Sequence, residues 1–188
     1  MKYTRAARRD GWITHPTRYA AWVRLAVGDV VVYRRHGVGR VAARERGVVH
    51  GGEEEIVVLE CAGGLTVMMP IDRAREQLRP LASKTDVRRV QETLREDHAL
   101  SSDSWLRRYK DTQAKLRGGD LIELAEIVRD GASRGRKLTA NGGRSQLSPG
   151  ERELVVKARQ LLSGEIALAR GLDAAKADAW IEDQVTPS

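Results

Sequence analysis

Val27-Gly28-Asp29-Val30-Val31-Val32-Tyr33-Arg34 runs directly into His36-Gly37-Val38-Gly39, a valine-rich strand followed by a glycine turn, and this stretch sets the fold of the first half of the chain. Arg40 to Val49 resumes in the same style, its valines and alanines alternating loosely with Arg44 and Arg46. Gly51-Gly52 marks a hairpin turn, and Glu55-Ile56-Val57-Val58-Leu59-Glu60-Cys61 reads as the returning strand. Gly63-Gly64 turns again into Leu65-Thr66-Val67-Met68-Met69, which Pro70 stops. A last short strand is expected around Glu76 to Leu81. Short strands with glycine turns, all within residues 25–82, predict a small sheet closed into a barrel or half-barrel, because closure protects strand edges.

At Ser83 the apolar period changes from strand to helix. Thr85-Asp86 can cap a helix that places Val87, Val90 and Leu94 on one face. Ser102 or Asp103 can cap the next, which runs to Arg117 and stops at Gly118-Gly119. Asp120 caps a third, with Leu121, Leu124, Ile127 and Val128 in an apolar stripe and an end expected near Asp130. Residues 131–147 are rich in Gly, Ser and Arg and read as a flexible basic loop. Ser148-Pro149-Gly150-Glu151 is a capping box with proline at the first helical position. Its helix buries Leu154, Val155, Ala158, Leu161 and Leu162, and Gly164 permits a bend. A final helix, capped near Asp173, includes Trp180. The fold class is therefore α+β: a β domain over residues 25–82, then a compact all-helical domain over residues 83–188. A basic extension, read as flexible, occupies residues 1–24.

Of the formal charge of +7 on 188 residues, +5 lies in residues 1–24, none net in 25–82, and +2 in 83–188. Within the last block, Arg107, Arg108, Lys110, Lys115 and Arg117 face Asp111 alone. Basic charge on both sides of a neutral module fits a polyanionic partner. Cys61 is the sole cysteine, so an intramolecular disulfide is impossible and a cytoplasmic setting is expected. No apolar run approaches the roughly 20 residues needed to cross a bilayer, so no membrane partner is expected.

Catalytic patterns are missing. His15, His36, His50 and His98 are far apart, with no second His or Cys at metal spacing. Gly37-Val38-Gly39 lacks the Lys-Ser/Thr of a phosphate loop. Asp120 with Glu123, and Glu53 to Glu55, are explained by helix capping and a solvated hairpin tip. The chain reads as a monomeric binder rather than an enzyme, needing no metal and no cofactor.

Ser104-Trp105-Leu106-Arg107-Arg108-Tyr109-Lys110 is the stretch most suggestive of function. It joins a large aromatic to a tight basic cluster in a chain with four Trp and no Phe. Such a helix can hold phosphates with its charges and press a ring against bases, or it can simply bury the ring in its own core.

Taken together, these motifs resemble one family. Val27 to Tyr33, His36-Gly37, and Leu65 to Pro70 look like the amino-terminal domain of the CarD/CdnL bacterial transcription regulators. Trp105 to Lys110, Gly119 to Asp130, and Leu147 to Glu151 with Lys157 to Leu162 look like the helical half. The resemblance covers about residues 25–172. It implies a Tudor-like barrel docking on the RNA polymerase β subunit, with Arg44, Arg46, Val67, Met68, Met69 and Pro70 at the contact. It also implies a helical domain at the upstream fork junction of promoter DNA, where Trp105 wedges into the minor groove and Arg107, Arg108, Lys110 and Lys115 meet the backbone. Three features depart from the pattern. Met68 stands where relatives often carry Arg, the segment from Gly131 to Gln146 is longer and more basic, and residues 1–24 have no counterpart.

The expectation is a transcription-initiation regulator that tethers itself to polymerase and stabilises the open complex. The alternative is a polymerase- or protein-docking module with Trp105 in its core and no DNA contact.

Overall fold

Strand formation begins where Gly28, at φ 94°, turns the chain and Asp29 closes the turn by accepting from the Ala26 amide. The computed structural model describes residues 25–49, 51–140 and 147–186. The expectations for residues 1–24 and for 141–146 lie outside the described residues.

Five antiparallel strands follow: β1 (Val30–Tyr33), β2 (Gly37–Val49), β3 (Gly52–Cys61), β4 (Leu65–Pro70) and β5 (Leu78–Pro80). The hairpin turns fall at Gly51-Gly52 and Gly63-Gly64, as the sequence predicts; Gly51, Gly63 and Gly64 all have positive φ. The loose alternation of β2 has a cause. Pairing with β3 shifts between Val41 and Ala43, a bulge that reverses which residues face the core.

The sheet does not close into the expected barrel. Its order is β4-β3-β2-β1-β5, with β4 and β5 at opposite edges. Between them lies a helix the sequence reading missed, α1 (Ile71–Gln77), which packs on β3, β4 and β5 and fully buries Ala74. The last strand is also shorter than expected, Leu78–Pro80 rather than Glu76 to Leu81. The core beneath the sheet comprises Leu25, Val31, Val41, Val57, Leu59, Cys61, Met69, Ala74 and Leu78. Burial pushes the Cys61 thiol up, the behaviour of a packed rather than a reactive cysteine.

The helical half comprises α2 (Lys84–Arg95), α3 (Trp105–Gly118), α4 (Leu121–Ala140), α5 (Pro149–Arg170) and α6 (Ala174–Val185). Its caps largely follow the sequence. Asp120 accepts from the amides of Ile122 and Glu123 at 2.9 and 3.2 Å. Ser148 and Glu151 form the capping box of α5, with Pro149 at the first turn. Asp173 accepts from Lys176 N at 2.7 Å. Two caps differ: α2 starts at a Ser83–Asp86 box rather than at Thr85, and α3 starts after Ser104, which makes no side-chain cap. One helix runs through Gly164.

The larger correction concerns residues 131–140, expected to be loop but helical to Ala140. Gly131 is there because α4 and α5 touch: a Cβ on it would lie 2.6 Å from Val155 Cγ2. Arg136 then secures the extension by donating to the Val185 carbonyl at 2.8 Å. Helices α2, α4, α5 and α6 share one core around Val90, Leu124, Ala158, Leu162, Ile166 and Ile181. Helix α3 buries no residue fully and lies across α4 and α5.

The two halves meet in a polar joint. Arg79 of β5 donates to both carboxylate oxygens of Glu165 of α5, at 2.5 and 2.7 Å.

Candidate nucleic-acid interface and sheet edge

A helix that buries none of its residues is held by its rim contacts, and those of α3 concentrate at its amino-terminal end. Trp105, its first residue, is 47% exposed and therefore not a core residue. Its ring stacks on Tyr109 one turn later, with centroids 5.5 Å apart and planes inclined by 24°. Its Nε1 donates to Ser148 Oγ at 3.0 Å. Tyr109 in turn lies against Gly150, where a Cβ would come within 3.1 Å of the Tyr109 ring. The start of α5 thus holds the indole nitrogen, Tyr109 stacks against the ring, and about half of the residue is left to solvent.

Leu106 behaves differently from its neighbour Tyr109. Leu106 is 53% exposed, whereas Tyr109 is half-buried. Trp105 and Leu106 together form an exposed apolar pair at the helix end.

The basic residues divide. Arg107 and Lys110 are exposed; Arg107 has only a 3.8 Å contact to Asp103, and Lys110 has no ion pair among the described residues. Arg117 is exposed at the other end of the helix and bonds Gln113. Arg108 turns inward instead. It donates to the Asp103 carbonyl and to Glu151 Oε1, tying α3 to the capping box of α5. Lys115 pairs with Glu126 of α4 at 2.6 Å. Burial works against ionisation of Glu151, but hydrogen bonds from Ser148 and Arg108 prevail and hold its carboxyl below the usual Glu range.

The candidates on the sheet also divide, by strand alternation. Directly paired residues share a face, so the register places Arg44 with Val57 and Met69, Arg46 with Glu55, and Val67 with Leu59. Met69 is buried on that core side, and Arg44 sits at its rim, bonded to Glu55 at 2.7 Å. Hydrogen bonding to Glu55 raises the Arg44 guanidinium and lowers the Glu55 carboxyl, so both stay charged. Met68, 59% exposed, projects to the other face with Pro70, whereas Met69, expected at the polymerase contact, is buried. Val67, Met68, Met69 and Pro70 lie on an edge, since β4 pairs with β3 on one side and with no other strand among the described residues, whereas Arg44 and Arg46 lie on the central strand β2.

The Trp105–Ser148 bond, the Arg108–Glu151 bridge and the Arg79–Glu165 joint were not found from sequence. Their partners are 43, 43 and 86 residues apart, beyond any local pattern. No cluster of three or more His, Cys, Asp or Glu side chains suited to a metal occurs among the described residues. No helix among them is long and apolar enough to cross a membrane.

Two family models match the chain in tandem. The one described as "CarD-like/TRCF RID domain" matches residues 25–82, and the one described as "CarD, C-terminal domain" matches residues 89–182. A Bacillus subtilis (strain 168) protein carrying the name "Putative transcription factor YdeB" is 25% identical over 148 residues, covering 78% of this chain and 92% of that protein.

Proposed function

The chain belongs to the CarD family, and on that premise we propose that it is a transcription-initiation regulator that docks on the RNA polymerase β subunit and stabilises the open promoter complex. It acts by binding, not by catalysis. The sheet module tethers it to polymerase, and α3 presents Trp105 to the upstream edge of the melted DNA.

The observation that carries this reading is the exposed pair Trp105 and Leu106, bracketed by the unburied cations Arg107 and Lys110 on a helix that contributes nothing fully buried. A half-exposed ring can enter a minor groove while neighbouring cations meet phosphates. The amino-terminal ends of α3 and α5 lie together here and add partial positive charge. Polymerase positions the promoter, so base-specific contacts are unnecessary. Tethering raises the effective concentration, so weak intrinsic DNA affinity suffices.

On the sheet, the free edge of β4 supports docking by strand addition, in which backbone groups supply affinity and alternate side chains supply specificity. Met68 would then face the partner from the outer side. Arg44 and Arg46, on the central strand β2, would lie outside that edge contact.

Arg108 and Lys115 favour the alternative of a docking module without DNA contact, since both spend their charge inside the protein. Native polymerase pull-down combined with fork-junction DNA binding separates the readings. The proposal expects polymerase retention to depend on β4, with Met68→Arg altering it. It also expects DNA retention to depend on Arg107 and Lys110 and to weaken with salt. Failure of the polymerase-bound wild type to retain fork-junction DNA would return the protein to the alternative, and undiminished DNA binding by an Arg107→Ala/Lys110→Ala variant would overturn the assignment of the contact to α3.

A further inference from the structure

The joint between the two halves has a geometry that simple adhesion does not require. Arg79 and Glu165 are 10% and 1% exposed at their side chains and meet through two parallel hydrogen bonds. Glu165 Oε1 also accepts from the amide of Ala82, in the segment linking the halves, at 3.1 Å. Arg79 reaches the carbonyl of Gly119 at 3.4 Å. Gly119 is the residue that ends α3, with φ 63°. A Cβ on it would fall 2.2 Å from the Arg34 carbonyl oxygen, in the turn after β1. Nearby, Gly37, the first residue of β2, would bring a Cβ to 3.1 Å from Leu161 of α5.

We propose that Arg79, Glu165 and Gly119 are positioning residues that lock the sheet and helical modules into one rigid body, so that docking through β4 determines where Trp105 lies. This rests on the reading that the sheet docks on polymerase and Trp105 meets DNA.

The lever arm makes the lock necessary. The carboxyl end of α3 is clamped to the sheet module at Gly119, and Trp105 opens the same 14-residue helix, about 21 Å away at 1.5 Å per residue. A rocking of about 10° at the joint would move the indole by roughly 3.5 Å, close to the 3.4 Å spacing of successive bases along a strand. A loose joint would therefore spread the ring over neighbouring steps. The chemistry of the pair suits alignment better than adhesion. An apolar pair of similar size would hold the surfaces together at less desolvation cost, whereas a bidentate guanidinium–carboxylate pair fixes direction as well as distance.

The test uses the full chain, carrying Glu165→Gln or Gly119→Ala, with Trp105→Ala as reference. Backbone 15N relaxation reads the tumbling of each module, and open-complex half-life at saturating polymerase occupancy reads function. The wild type is expected to tumble with a single correlation time. Each joint variant is expected to give two shorter times, with each module keeping its own amide spectrum, and a severalfold loss of half-life approaching that of Trp105→Ala. If Glu165→Gln fails to fold, Gly119→Ala decides, because it leaves no buried charge without its partner. A single tumbling time in the folded variants, or two times with an unaltered half-life, overturns the proposal. If Trp105→Ala itself leaves the half-life unchanged, the DNA reading fails, and the relaxation result alone judges the joint.

Discussion

Trp105 and Ser148 are joined by a 3.0 Å hydrogen bond from the indole Nε1 to the serine Oγ across 43 residues of sequence. That hydroxyl also accepts from the Glu151 amide at 3.3 Å and donates to Glu151 Oε2 at 2.8 Å. Its single donor and both acceptor positions are therefore in use. The cap that starts α5 and the bond that orients the exposed indole are one group.

Replacing that group should uncouple stability from orientation. Ser148→Ala is expected to cost about 1 kcal/mol through the lost cap, or about 2 to 4 °C of melting temperature for a chain of this size. It should also free the ring, seen as a lower fluorescence anisotropy of Trp105 once Trp12, Trp22 and Trp180 are replaced. Ser148→Asp keeps an acceptor for the cap but sets a second carboxylate against Glu151 Oε2, so stability should also fall, while added negative charge weakens DNA binding. Equal DNA affinity for Ser148→Asp and wild type would separate Ser148 from the interface.

Acid should act on the same junction. The Glu151 carboxyl titrates below its unfolded value of about 4.3, so its contribution is present in full above that pH. The contribution disappears as pH falls through the lower folded value. Melting temperature should therefore decline below about pH 4.3, and Glu151→Gln should make the decline shallower. An identical slope in the Gln variant would mean that other carboxylates dominate, such as Asp178, which a hydrogen bond from Arg159 holds low.

The extended α4 gives a pair of opposite predictions. Gly135 is helical, and a methyl group added there would meet nothing within 4 Å, so Gly135→Ala should stabilise by about 0.5 to 1 kcal/mol. Gly131→Ala gains the same propensity but drives a methyl to 2.6 Å from Val155 Cγ2, and should destabilise. Adding Val155→Ala should recover part of the loss from Gly131→Ala. Destabilisation by Gly135→Ala would contradict a helix through that position.

These elements show which parts of the fold were legible in the sequence. Asp120, Ser148 with Glu151, and Asp173 identify their own helix starts because a cap is a contact within three residues. The glycine hairpins are equally local. Helix α1 was hidden because Ile71-Asp72-Arg73-Ala74-Arg75-Glu76-Gln77 offers too few apolar positions to show a period, and only tertiary packing over Ala74 reveals its purpose. The second half of α4 was hidden because Gly131 looks like a breaker until Val155 is placed beside it. At the candidate site, the exposed charges of Arg107 and Lys110 were legible as a basic cluster. The inward turn of Arg108 was not, since Glu151 reaches it only through the fold.

The central claim is that the half-exposed indole of Trp105 holds the promoter open while the sheet holds polymerase. The most direct measurement is the open-complex half-life with Trp105→Ala at saturating polymerase occupancy. The ring is half-exposed and held by a stack on Tyr109 and one hydrogen bond, so the variant should lose about 1 to 2 kcal/mol of stability, less than the 3 to 5 typical of a buried Trp, and remain folded. Loss of about 1.4 kcal/mol of preference for the open state would shorten the half-life roughly tenfold with polymerase binding intact. An unchanged half-life, with the variant folded and bound to polymerase, would contradict the account.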